Sequence, residues 1–329
     1  MFLLTISATE LSRVPGLSAA GANTEALAFT APADADMLCW GRPRITDAIP
    51  VDPMGHPTPA LITRAAQLEA GFPVLTLRAG SFLAPAAPHV EMGNEPGQDS
   101  RATCAVPKGR EIFDLARDFA GQVGRGLTRV VLAESVPGGT TTAYLLLRAL
   151  GYDRMVSSAG PENPVSLKEQ VWHDVEARLK REGRPEEALD VACQVGDPMQ
   201  LTVAGLVAGF PPEAEITLAG GTQMLAVAAL IRHASIQRAV RVATTCYVAR
   251  DRSAHFSRLA MDIGVRTWAA PLDFSSSPWT GLADYEKGYV KEGVGAGGAV
   301  WYATELGVPV ERVTARTNAL YGELIGATI

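Results

Sequence analysis

Residues 129–151 read R-V-V-L-A-E-S-V-P-G-G-T-T-T-A-Y-L-L-L-R-A-L-G, and the pattern changes character twice along that length. Val130-Val131-Leu132 is a short β-branched and apolar run of the kind that forms a buried strand. Pro137-Gly138-Gly139 breaks it, and an apolar helix follows from Thr140 to Leu150, closed by Gly151. Glu134 stands where the strand should end, and Gly138, Gly139, Thr140 and Thr141 stand where the helix should begin. In open α/β sheets ligands bind beyond the carboxyl ends of strands. A helix N-terminus there favours an anion by roughly 0.3–1 kcal/mol. The stretch therefore reads as a phosphate cradle beside an acid. Gly-Gly with a Thr cap is equally ordinary turn chemistry, so the stretch alone does not decide between the two. No Lys follows the glycines, as a P-loop would require, and the G-x-G-x-x-G dinucleotide fingerprint is absent.

Working outward, the same architecture recurs. A strand at Glu215–Leu218 leads into Gly220-Gly221-Thr222-Gln223 and then a helix, Met224–His233. A strand at Val240–Ala243 leads into Thr244-Thr245, and Thr267–Pro271 is a last strand. A strand at Val191–Val195 leads into Gly196-Asp197-Pro198-Met199-Gln200 and a helix from Leu201. Alternating strands and helices at this spacing predict a three-layer α/β fold, a mostly parallel Rossmann-like sheet with helices on both faces. Gly138-Gly139-Thr140, Gly220-Gly221-Thr222 and Thr244-Thr245 then share one sheet edge. They offer backbone N–H and hydroxyl donors with few cations, which suits a sugar monophosphate.

The flanking segments are read as follows. Met1 begins a first strand, a second short strand lies around Leu27–Thr30, and a short helix begins at Asp34. Residues 42–59 form a loop with five prolines that holds His56. Helices are expected at Ala60–Gly71 and Glu111–Gly124, with a strand at Phe72–Leu77 and a long irregular region over 82–108. A strand is expected at Met155–Ser158, and Ser166-Leu167-Lys168-Glu169 reads as a capping box opening a helix. Near the end, Gly295–Leu306 is small and apolar nearly all round, so it should be buried, with its glycines explained by close approach of a ligand or another helix. Glu292 sits at the lip of that helix start, either as a site residue or as an acid that complements the dipole. A last helix is expected at Glu311–Ile325. The domain reading is a core over 57–290, with 1–56 and 291–329 forming a smaller lobe packed on it.

Composition narrows the classes. The 329 residues are 47% hydrophobic and 19% charged, which suits a compact, well-buried chain. A net charge of −6 with no basic stripe argues against nucleic acid as a partner. Cys39, Cys104, Cys193 and Cys246 are far apart, as expected of reduced thiols in a cytoplasmic protein. The N-terminus lacks the charged flank of a signal peptide, and no apolar run approaches the ~20 residues of a membrane span. His56, His89, His173, His233 and His255 are scattered, so no metal site is expected.

Four motifs, L-A-E-S-V-P-G-G-T-T-T-A, G-D-P-M-Q, L-A-G-G-T-Q-M-L-A-V-A-A-L and Y-V-K-E-G-V-G-A-G-G-A, are similar to those of the nicotinate-nucleotide:dimethylbenzimidazole phosphoribosyltransferase family, in the same order. The resemblance spans the chain from about Pro57 and marks a shorter, divergent branch, departing at Ser135, Val136 and Pro137 and in the N-terminal segment. It implies transfer of phosphoribose from nicotinate mononucleotide to a benzimidazole-type base, for the lower ligand of cobamides, with no cofactor and in a homodimer. It places Glu292 as general base and Glu134 as the acid that orients the base or stabilises charge at C1. It places the phosphoribosyl group on Gly138, Gly139, Thr140, Thr141, Gly220, Gly221, Thr222, Gln223, Thr244 and Thr245. The nicotinate and acceptor pocket falls to Ser135, Asp197, Met199, Gln200, Gly293 and Gly295. The same fold could serve a phosphoribohydrolase or sugar-phosphate isomerase, or a base-binding regulator without turnover.

Overall fold

The strand–turn–helix of residues 129–151 forms as its sequence dictates and sits at the middle of the molecule. In the computed structural model, which describes residues 1–18, 20–21 and 23–326, this strand is Arg129–Ser135 and the helix is Gly139–Ala149. In chain order the elements are β1 (Phe2–Ile6), α1 (Thr24–Trp40), α2 (Ala60–Ala70), β2 (Val74–Arg78), β3 (His89–Glu91), α3 (Gly109–Val123), β4 (Arg129–Ser135) and α4 (Gly139–Ala149). Then come α5 (Val165–Glu182), α6 (Ala188–Val195), α7 (Pro198–Gly209), β5 (Glu215–Ala219), α8 (Thr222–His233), β6 (Val240–Thr245), α9 (Cys246–Ala249) and α10 (Phe256–Ile263). The chain closes with β7 (Arg266–Ala270), α11 (Thr280–Ala283), α12 (Ala296–Glu305) and α13 (Val310–Leu324).

The strands form one sheet in the order β3-β2-β1-β4-β5-β6-β7, and every pairing is parallel. Alternate residues of one strand feed two separate cores. Leu3, Val130, Leu132 and Leu218 enter the core built with α3, α4, α7 and α8, while Phe2, Leu4, Val131 and Ala133 enter the one built with α2 and α12. Both faces are thus covered, which is why these strands read as continuous apolar runs rather than as alternating ones. The three-layer, Rossmann-like α/β expectation stands. Strand β1 corrects the domain reading, however: residues 2–6 are not in a terminal lobe but lie between β2 and β4 at the centre of the sheet.

Further expectations are overturned. Leu27–Thr30 is not a strand, and Asp34 does not begin a helix; both lie within α1, capped by the Asn23 side chain accepting from the Ala26 N–H at 2.8 Å. Val191–Val195 is the end of helix α6, buried on one side against α3, α4, α7 and α8, because a short apolar run has no period that separates a core strand from a core helix. Met155–Ser158 joins no sheet; its backbone is held by side chains, Asn163 donating to the Val156 carbonyl and the Met155 N–H meeting His255 Nδ1. The capping box at Ser166 is also absent, since α5 begins two residues earlier, at Val165, with Pro164 at its cap and no side-chain bond there.

The glycines of α12 have a different cause from either one expected. A Cβ on Gly297 would lie 2.0 Å from the Thr244 carbonyl carbon, and one on Gly298 would lie 2.1 Å from Ala219 Cβ. The helix rests directly on the backbone of β5 and β6, and the glycines permit that approach. Among the described residues no helix is long and apolar enough to cross a membrane.

Candidate active site

The strand order reverses direction between β1 and β4, and open sheets of this order bind ligands at such a switch point, beyond the carboxyl ends of the strands. A cleft opens there. Of the residues named from sequence, Glu134, Ser135, Gly138, Gly139, Thr140, Gly221, Thr222, Gln223, Glu292 and Gly293 line it. The N-termini of α4 and α8 both face this edge, so their free N–H groups favour an anion. Thr222, at the first turn of α8, is 1% exposed and its hydroxyl has no hydrogen-bond partner.

Glu292 is held from below. Its carboxylate accepts from the Thr245 N–H at 2.8 Å, the Thr244 hydroxyl at 3.2 Å, the Gly293 N–H at 3.1 Å and the Gly297 N–H at 3.3 Å. Burial pushes this carboxyl up to about 7, and the four donors act against that rise. A group poised near neutrality is suited to exchange a proton at physiological pH. The segment carrying it is strained, with Val290 at φ 47° and Val294 at φ 55°. Left-handed β-branched residues are outliers that cost about 1–3 kcal/mol each and persist only where the surroundings hold them.

Glu134 is 1% exposed, with one oxygen accepting from Gln223 Nε2 at 2.9 Å and the other without a partner. Burial raises its pKa well above the ordinary carboxylate value, and the like charges of Glu292, Asp197 and Asp34 add to the rise. The two acids flank one dipeptide. A Cβ on Gly220 would lie 3.2 Å from Glu134 Oε1, and one on Gly221 3.7 Å from Glu292 Cγ. A Cβ on Gly139 would lie 2.3 Å from Gln223 Nε2. Gly139→Ala should therefore displace Gln223 from Glu134 and cost about 1 kcal/mol of stability, on the order of one buried hydrogen bond; urea denaturation checks it, and an unchanged midpoint contradicts it.

These acids also shape stability. A carboxyl whose folded pKa lies above its unfolded value binds more protons when native, so stability is lost as pH climbs from the unfolded value to the folded one. For Glu292 that window runs from 4.5 to about 7. Glu292→Gln removes this slope whatever it does to the cage of donors. The variant should gain on the wild type in urea denaturation as pH rises from about 5 to about 7.5, and parallel pH profiles would contradict the assignment.

Several sequence-named residues lie outside the cleft. Thr244 and Thr245 grip Glu292 rather than facing the opening. Asp197 and Gln200 form a capping box on α7, Asp197 also accepting from the Thr142 hydroxyl, and Met199 is fully buried in the core. This overturns their place in a base pocket, because D-P-M-Q is first of all a helix start. Gly220 and Gly295 lie beneath the acids, Gly295 at φ 64° with Ala133 too close for a side chain, and Thr141 is buried with its hydroxyl unpartnered. The cleft also takes in residues to which the sequence reading gave no site role: Asp34, His56 and Lys291. Asp34 accepts from the Thr58 hydroxyl at 2.6 Å and the Ser135 hydroxyl at 2.7 Å, and burial lifts it to about 6. Lys291 pairs with Asp251 at 2.7 Å, both side chains 5% exposed. Among the described residues no group of three His, Cys, Asp or Glu side chains is disposed to hold a metal ion.

No family model matches the chain. It is 48% identical to a UPF0284 protein of Thermococcus kodakarensis over 99% of this chain and 98% of that one. The chain belongs to the UPF0284 family. A UPF0284 protein of Pyrococcus furiosus is 47% identical over 99% of each chain, and one of Sulfurisphaera tokodaii is 38% identical over 98% of this chain and 92% of that one. Among solved structures this UPF0284 chain is similar in fold to CobT from Thermus thermophilus, with a TM-score of 0.59 at 15% identity, over 99% of this chain and 86% of that one. A nicotinate-nucleotide-dimethylbenzimidazole phosphoribosyltransferase structure from the same organism gives a TM-score of 0.55 at 15% identity, over 100% of this chain and 86% of that one.

Proposed function

We propose that this UPF0284 protein transfers the phosphoribosyl group of nicotinate mononucleotide to 5,6-dimethylbenzimidazole or a related base, giving an α-riboside phosphate of the kind used as the lower ligand of cobamides. The observation that supports it most is the pair of buried carboxyls, Glu134 and Glu292, set on either side of Gly220-Gly221 in one cleft. In this reading the phosphate rests on the N-termini of α4 and α8, near Thr140 and the unpartnered Thr222 hydroxyl. The acceptor ring nitrogen attacks C1 with its lone pair as the C1–nicotinate bond breaks. The bonding pair returns to the pyridinium nitrogen, which leaves neutral. Glu292 takes the proton that the acceptor's N–H gives up, an effect worth typically 10²–10⁴-fold. Glu134 stabilises the positive charge that develops at C1, and it ionises more readily beside a cation.

The test is incubation with nicotinate mononucleotide, with and without benzimidazole. Acceptor-dependent release of nicotinate, with a riboside phosphate as co-product, supports transfer. Equal release in both arms makes the protein a phosphoribohydrolase. Because the base must be ionised, kcat/KM should rise with pH through about 7, where burial places Glu292. A profile flat from pH 6 to pH 8 removes Glu292 from that role.

A further inference from the structure

We propose that His56 is a positioning residue, a latch that fastens the loop 50–58 to the connector 284–290 and so keeps Glu292 in the cleft. The inference rests on the transferase reading only for its kinetic readout. His56 is 6% exposed and lines the cleft mouth. Its Nδ1 lies 2.8 Å from Asp52 of its own loop, and its Nε2 lies 3.1 Å from Asp284, 228 residues away. Its ring packs on Tyr289 with centroids 4.1 Å apart. One side chain therefore grips both the start and the end of the short connector that leads into Glu292.

The loop is built to present this ring. Asp52 Oδ1 accepts from the N–H groups of Met54 and His56, each at 2.9 Å, and the Asp52 N–H meets the His56 carbonyl at 3.0 Å. The connector ends on the left-handed Val290, and a second left-handed valine, Val294, follows on the other side of Glu292. Such a backbone relaxes unless its neighbours over-determine it. From below it is tied by Lys291 to Asp251, by the Thr245 hydroxyl to the Lys291 carbonyl, and by the Thr63 hydroxyl to the Val294 carbonyl at 2.9 Å. From the cleft side, His56 supplies the tie, reinforced by Tyr285 donating to the Pro57 carbonyl. An imidazole N–H donated to a carboxylate is a strong and directional bond, and with the other ring nitrogen set against the second carboxylate and the ring on Tyr289, His56 fixes position as well as attachment.

His56→Ala and Asp284→Ala break the latch from opposite sides and are compared with wild type. Each should lower kcat by about 10–100-fold, the scale of a displacement near 1 Å at the reacting group, with KM for nicotinate mononucleotide within about twofold. In a Glu292→Gln background His56→Ala should cost less than about twofold more, because a residue acting through Glu292 has nothing left to position. Amide hydrogen exchange should quicken at Thr245 and Gly297, the donors to Glu292, while β1 and β4 keep wild-type protection. An undiminished loss in the Glu292→Gln background, or wild-type exchange at Thr245 and Gly297 in both single variants, overturns the latch. If wild-type protein shows no turnover, the transferase reading fails, and the exchange measurement alone decides the latch.

Discussion

If the protein is the transferase proposed above, Glu292→Gln should lower its kcat by about 10²–10⁴-fold while leaving the affinity for nicotinate mononucleotide nearly intact. Glutamine has almost the shape of glutamate and its oxygen can still accept from the Thr245 N–H and the Thr244 hydroxyl, but its amide nitrogen then faces the Gly293 N–H, donor against donor, which costs about 1–3 kcal/mol in stability. What it lacks is a basic oxygen. The loss therefore belongs in kcat, since the proton is taken in the transition state and not in the bound ground state. Steady-state kinetics together with calorimetric titration separate the two. A variant that retains a third of wild-type kcat would show that the proton leaves by another route. Loss of binding with unchanged turnover would make Glu292 a ligand contact.

Gly297→Val should be strongly destabilising. Its Cβ would stand 2.0 Å from the Thr244 carbonyl carbon and 2.5 Å from Thr244 Cα, both backbone atoms of β6 that have no rotamer to swing away. Overpacking of this sort costs about 1–3 kcal/mol and sometimes more, or roughly 1.5–4.5 °C in Tm for a chain of this size. The same displacement lifts α12 from the sheet and takes the Gly297 N–H from Glu292, so activity should fall together with stability. Gly121→Ala is the contrast. Gly121 lies inside α3, where the nearest atom to an added Cβ is the Gly209 carbonyl oxygen at 3.7 Å, and removing a helix glycine there should add about 0.5–1 kcal/mol. Thermal unfolding of the two variants side by side gives the answer; similar Tm shifts in both would refute the close-approach account of α12.

Much of this is legible in residues 129–151 and its echoes. The change from an apolar run to Pro-Gly-Gly and then to an apolar helix marks β4 and α4 within a few residues, and Gly220-Gly221-Thr222 marks the start of α8 in the same way. Both acids of the cleft could be picked out because each stands within a few residues of glycines that open a helix, Gly138-Gly139 after Glu134 and Gly293 and Gly295 after Glu292. The errors have physical causes. Helix α1 is rich in alanine and carries Pro32 inside it, so its apolar stripe is too faint to show a period. D-P-M-Q repeats the look of a ligand loop because N-caps and ligand loops draw on the same residues, and only burial separates them.

Local pattern, by itself, determined the class of the fold, the alternation of strand and helix, and the sheet edge on which the glycine–threonine turns gather. Those depend on period and turn chemistry, which act over a few residues. Tertiary structure alone decided that β1 is a central strand, that the glycines of α12 serve helix-on-sheet contact, and that Asp34, His56 and Lys291 share a cleft with Glu134 and Glu292. Contacts such as His56 with Asp284 join residues 228 apart, and no spacing in a chain encodes which of its distant side chains will meet once two apolar cores have closed over both faces of a sheet.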